Sequence, residues 1–117
     1  MRYGRSNSVY LHMTAESFEH CFSQSYAEAR ARFRAAAARA GLPQRSYRNP
    51  APGPDGIELT ADIVRIGPAA AERVLIVESG THGVEGYAGS GIQLGLLTLP
   101  ETPRPAAGVA LVLVHAI

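Results

Sequence analysis

Residues 80 to 86 read Gly-Thr-His-Gly-Val-Glu-Gly, which sets an imidazole, His82, three residues before a carboxylate, Glu85. A nitrogen and an oxygen donor at that spacing converge on one ion when the backbone between them turns, and Gly80, Gly83 and Gly86 supply the conformational freedom. Zinc takes such donors, and a catalytic zinc needs three protein ligands with a fourth position open to water. His82 and Glu85 supply two of them. On spacing alone the pair reads equally well as a helix-capping glutamate beside a polar loop histidine, since a carboxylate in a first helical turn also complements the helix dipole.

Other chemistries fit the residues less well. The three glycines follow an apolar strand, yet their spacing is neither Gly-x-Gly-x-x-Gly nor a Walker sequence, and no Lys-Ser/Thr follows. A nucleophile elbow is absent, because Ala88 stands two residues before Ser90 and Val77 two before Ser79. His20 and Cys21 are adjacent, so on a helix they point about 100° apart and do not form a nucleophile pair. His115 closes an apolar strand and in a parallel sheet emerges on the same edge as His82, which makes it a candidate pocket residue. The alternative for it is a strand-end histidine with a satisfied hydrogen bond.

The elements that must position these residues are legible in the periodicity. Phe22, Tyr26, Ala29, Phe33, Ala36 and Ala37 recur at spacings of three and four, predicting an amphipathic helix that runs to Ala40. Ser25 and Glu28 form a capping box at its start, and Gly41 and Pro43 stop it. Thr14 or Ser17 can cap a shorter helix before it. Residues 43 to 56 hold four prolines and a Pro-Asp-Gly turn, so they read as a loop with a short edge strand near Tyr47.

Leu59, Ala61, Ile63, Val64 and Ile66 then predict a strand ending at Gly67-Pro68, and Val74–Val77 a second one, the two able to pair as a hairpin. The unbroken apolar run of Val74–Val77 predicts cover on both faces. Tyr87–Leu99 reads as a helix whose small residues, Ala88, Gly89, Ser90 and Gly91, let it lie close to a sheet, and Val109–Val114 as a third buried strand. Strand, helix, strand implies a right-handed crossover with parallel pairing, hence an α/β fold. The chain reaches Ile117 without a helix to cover that last strand, so the expectation is the N-terminal part of a larger fold.

Composition bounds the class. Within 117 residues there is room for one domain, and 46 % apolar with 18 % charged residues is a globular balance. We divide the chain into an extension over 1–12, polar and expected to be disordered, with Met13 an alternative start, and an α/β portion over 13–117. A net charge of +1 gives no electrostatic case for nucleic acid or a membrane surface. Arg30, Arg32, Arg34 and Arg39 read as a solvated helix face, because Glu28 is interspersed and no aromatic platform accompanies them. One cysteine, Cys21, excludes an internal disulfide and fits the cytoplasm, where it serves as a packing residue. No secretory signal and no bilayer-length apolar run is visible.

Three blocks carry a resemblance: Phe22-Ser-Gln-Ser-Tyr-Ala-Glu-Ala-Arg-Ala-Arg-Phe, Glu78-Ser-Gly-Thr-His-Gly-Val-Glu-Gly-Tyr-Ala-Gly-Ser, and Leu113-Val-His-Ala-Ile. Together they resemble a largely bacterial domain-of-unknown-function family (DUF2817) within the zinc carboxypeptidase superfamily, from Phe22 onward. The resemblance implies a three-layer α/β/α mixed sheet and a Zn2+ hydrolase that cleaves an amide bond of a peptide or acyl-amino acid with metal-activated water. It implies His82 and Glu85 as the first two ligands. A third ligand, the general-base Glu and the groups that hold the substrate carboxylate are expected beyond Ile117, so the chain alone should have little activity. A second expectation, of a different class, is a non-catalytic module that self-associates or pairs with another chain through an uncovered Val109–Val114 strand.

Overall fold

The computed structural model describes residues 18–101 and 103–116. The expected N-terminal extension, the alternative start at Met13 and the caps at Thr14 and Ser17 lie outside the described residues.

Helix α1 spans Tyr26–Arg39, and its ends follow from the chemistry of its flanks. The Ser25 side chain accepts from the Glu28 amide at 3.2 Å, while the Glu28 carboxylate accepts from the Gln24 amide at 2.9 Å. The capping box therefore closes one residue earlier than its usual reciprocal form. At the other end Gly41 takes φ +67°, the Gly41 amide donates to Ala38 and the Leu42 amide to Ala37, a Schellman closure that a side chain at 41 would strain. The predicted stripe is the buried face: Ala29, Phe33, Ala36 and Ala37.

Four strands follow, with a second helix between the last two: β1 Gln44–Arg48, β2 Thr60–Ile66, β3 Arg73–Ser79, α2 Gly86–Thr98 and β4 Val109–Ala116. They form one mixed sheet in the order β1-β2-β4-β3. The β3-α2-β4 unit is the expected parallel crossover, registered from Arg73↔Val109 to Ser79↔His115. β1 is the edge strand foreseen near Tyr47 and pairs antiparallel with β2.

The hairpin between β2 and β3 does not form. β4 lies between them, antiparallel to β2 and parallel to β3. Gly67 shows how tightly β2 leaves its neighbour: a Cβ there would stand 2.9 Å from the Val109 carbonyl oxygen, and φ is +106°. Two further expectations change with this order. β3, read as covered on both faces, is an edge strand with Val74, Leu75 and Ile76 exposed by 48, 58 and 62 %. Val109–Val114, read as uncovered, is central and hydrogen-bonded along both sides.

Both helices pack on one face of the sheet. Phe33, Ala36 and Ala37 of α1, Leu94 and Leu97 of α2, Val64 and Ile66 of β2, Leu113 of β4 and the free thiol of Cys21 form the core. Among the described residues no helix covers the opposite face, which carries Tyr47, Ile63, Val74, Ile76 and Val112 by strand alternation. No helix among the described residues is long and apolar enough to cross a membrane.

Candidate metal centre

β3 delivers the chain to one end of the sheet at Ser79, and the next six residues return it into α2. Gly80 makes the turn with φ +80°, the left-handed region that glycine enters without strain. Gly86 closes the loop by contact, since a Cβ on it would stand 2.7 Å from Gly80 Cα. Gly83 is packed too, since a Cβ on it would stand 3.2 Å from Glu85 Oε2. The Gly86 amide donates to Gly83 at 2.8 Å, Tyr87 to Val84 at 3.2 Å and Ala88 to Glu85 at 3.0 Å, so the first turn of α2 grows directly out of the loop.

The loop brings His82 and Glu85 together, with Nδ1 and Oε1 3.4 Å apart and the side chains 81 and 61 % exposed. Glu85 occupies the N-cap position of α2, yet its side chain makes no capping hydrogen bond. The carboxylate is not spent on helix amides and faces the imidazole instead.

A separation of 3.4 Å exceeds the usual 2.7–3.2 Å of an N–H···O bond. It matches the distance of about 3.3 Å between two donors of a tetrahedral ion held at roughly 2.0–2.1 Å. The donor set thus fits two corners of a zinc site. Among the described residues no group of three or more His, Cys, Asp or Glu side chains is placed to hold an ion. A cleft of about 490 Å3 opens beside Gly80, walled by Tyr47–Pro50 and Leu59–Ala61. It lies by the carboxyl ends of the parallel strands, where α/β sheets collect ligands.

His115 reaches the expected end of the sheet, in register with Ser79, but its side chain turns into the helical side and is fully buried. It is a core residue and not part of the open pocket. Its ring stacks on Phe33 with centroids 4.5 Å apart, and Nε2 shares a 2.8 Å hydrogen bond with Ser90 Oγ. Nδ1 has no hydrogen-bond partner, although the residue's own backbone carbonyl lies where it favours a ring proton. Burial pushes the imidazole pKa down to about 4 against the pull of the Asp62 charge, so the ring is neutral at pH 7.

Beside it sits a polar cluster absent from the sequence reading. Asp62, the register partner of His115, is fully buried. It accepts from Arg30 Nε at 2.9 Å, from Thr60 Oγ1 at 3.1 Å and from Ser46 Oγ. Burial works to raise the Asp62 pKa, but the Ser46 bond, the Arg30 bond and charge, and the Thr60 bond together hold it below the ordinary aspartate value. Arg30 is therefore an interior partner and not a residue of a wholly solvated face. Tyr26 completes the cluster, its hydroxyl accepting from the Thr60 amide at 2.7 Å. Ser90, His115 and Asp62 have the residue types of a nucleophilic triad, but Ser90 is buried and the described partners of Asp62 do not include Nδ1 of His115.

The sequence matches the family described as protein of unknown function (DUF2817) over residues 22–117. The chain belongs to this family. No curated protein matches it. A solved structure, the esterase LipW from Mycobacterium marinum, is similar at 22 % identity and a TM-score of 0.39. That match covers 86 % of this chain and 30 % of the esterase chain. The His82–Glu85 loop, residues 80–86, falls inside the matched span.

Proposed function

We propose that the chain contributes two zinc ligands, His82 and Glu85, to a hydrolase of the zinc carboxypeptidase type that cleaves an amide bond. The observation that carries this reading is the uncapped Glu85 carboxylate standing 3.4 Å from the His82 imidazole on a tight strand-to-helix loop. A zinc ion bound there supplies Lewis acidity and lowers the pKa of water. The His82 imidazole and the Glu85 carboxylate would hold and orient it. The cleft beside Gly80 gives an extended peptide or acyl-amino acid a path across the sheet end toward the loop. The third ligand and the general base come from residues outside those described.

Titrating zinc by calorimetry into the wild type and the variants tests the reading. His82→Ala and Glu85→Ala are each expected to weaken zinc binding by tenfold or more, with the fold intact because both side chains are exposed. Unchanged affinity in both variants would sink the assignment.

The exposed edge of β3 favours a second reading, association with another chain by strand pairing. Edge pairing in a second copy is expected to weaken when Ile76→Lys places a charge on the edge. Sedimentation at micromolar concentration checks it: a monomeric wild-type chain removes this reading.

A further inference from the structure

Helix α2 is poorly equipped to fix its own position. Gly86, Gly89 and Gly91 fall within its first six residues, each costing about 1 kcal/mol of helix propensity relative to alanine, and its N-cap side chain makes no bond. Yet this helix carries Glu85 at its start, so whatever sets its position sets the site. One fully enclosed side chain reaches from it to both parallel strands. Gln93 Nε2 donates to the Val77 carbonyl at 3.0 Å and to the Val114 carbonyl at 3.1 Å, while its Oε1 accepts from Ser79 Oγ at 3.3 Å. Both amide hydrogens and one acceptor site are used.

Those partners are placed where position matters. Val77 and Ser79 are in the last residues of β3 before Gly80, and Val114 pairs with Glu78 in the β3–β4 register. The same helix face approaches by contact, since a Cβ on Gly89 would stand 2.9 Å from Ser79 Cβ. A hydrophobic residue at 93 would leave two strand carbonyls without this donor in a buried site.

We infer that Gln93 is a positioning residue: its amide clamps the ends of β3 and β4 to α2 and thereby holds His82 and Glu85 at ligating separation. The clamp itself is read from the described geometry, and only its consequence for zinc rests on the proposed metal function. Outer-shell groups that orient ligands are worth about 10–100-fold in metal affinity.

Two measurements on the full chain test it. Gln93→Met, similar in length and unbranched, is compared with Leu97→Ala, which destabilises the far end of the same helix. Hydrogen exchange is read at the Gly86, Tyr87 and Ala88 amides, whose bonds close the loop. The clamp predicts at least tenfold faster exchange there in Gln93→Met than in Leu97→Ala, after each is referred to its own global stability. Equal rates overturn it. The zinc titration forms the second arm, with an expected affinity loss of at least tenfold in Gln93→Met and little change in Leu97→Ala.

If His82→Ala and Glu85→Ala leave zinc binding untouched, the metal function fails while the exchange data still decide the clamp. If they abolish binding but Gln93→Met alters neither exchange nor affinity, the clamp alone fails. Should Gln93→Met not fold, Ser79→Ala carries the test. At least threefold faster loop exchange is then expected, and an unchanged rate overturns the proposal.

Discussion

Asp62→Ala is expected to remove about 3 kcal/mol of stability, a large share of the 5–15 kcal/mol typical of a domain. The buried carboxylate is the shared acceptor of Arg30, Thr60 and Ser46, so truncating it strands three donors at once. Breaking a buried ion pair from one side usually costs 3–5 kcal/mol, because the remaining charge is left without its partner. Here the lower end applies. Arg30 keeps about a fifth of its side chain in solvent and has Glu58 at 3.9 Å as a second, weak partner. Asp62→Asn, which keeps the size and one acceptor, should lose about half as much. Urea unfolding at pH 7 gives both numbers, and a loss below about 1 kcal/mol for Asp62→Ala would show that the cluster is not stabilising.

The same cluster shows where the sequence could be read and where it could not. Helix α1, its serine cap, its glycine stop and the parallel β3-α2-β4 crossover rest on local signals, namely period, capping chemistry and the strand-helix-strand order, and all of these are in the structure. Strand order is a non-local quantity. The six residues between Ile66 and Arg73 suggest a hairpin, but nothing in them records that β4 will occupy the place beside β2. From that one error follow the misplaced edge and the misread exposure of Val74–Val77.

Strand phase is subtler. Leu59, Ala61, Ile63, Val64 and Ile66 predict the strand without choosing between its faces, and the buried one is Thr60, Asp62, Val64 and Ile66. A one-residue change of phase exchanges the two faces, and the polar pair at its start disguised the inward one. A signal was present. Asp62 shares its phase with Val64 and Ile66, and Arg30 flanks the α1 stripe four residues after Tyr26, so a charge of each sign borders the core. For His82 and Glu85 the spacing left two readings standing, because whether a carboxylate caps a helix depends on where its side chain turns, which spacing does not encode.

Acid should unfold the protein in two stages, and the first belongs to His115. Buried beneath Phe33 and Ser90, its imidazole holds a pKa of about 4 in the fold, against about 6.5 in the unfolded chain. Between those values the unfolded chain takes up a proton that the folded chain refuses, so stability rises with pH across this window. The contribution is complete above about pH 6.5 and is lost as pH falls through about 4, amounting to roughly 3 kcal/mol at most. Asp62 acts in the same direction lower down. Its folded pKa is depressed, so its contribution is present above the ordinary aspartate value and is lost as pH falls through the folded one.

The groups facing His115 are few: the Asp62 charge favours its proton and the Arg30 charge opposes it, while Ser90 on α2 is neutral. Removing Asp62 therefore has a second effect, making His115 harder still to protonate. His115→Gln separates the stages. It should be less stable than the wild type at pH 7, since the Phe33 stack is lost, yet show a flatter dependence between pH 6.5 and 4. Urea midpoints at pH 7, 5.5 and 4.5 on both chains provide the comparison. Parallel curves for the two would mean that the buried imidazole does not govern the acid response, and the loss would then have to be sought among the carboxylates alone.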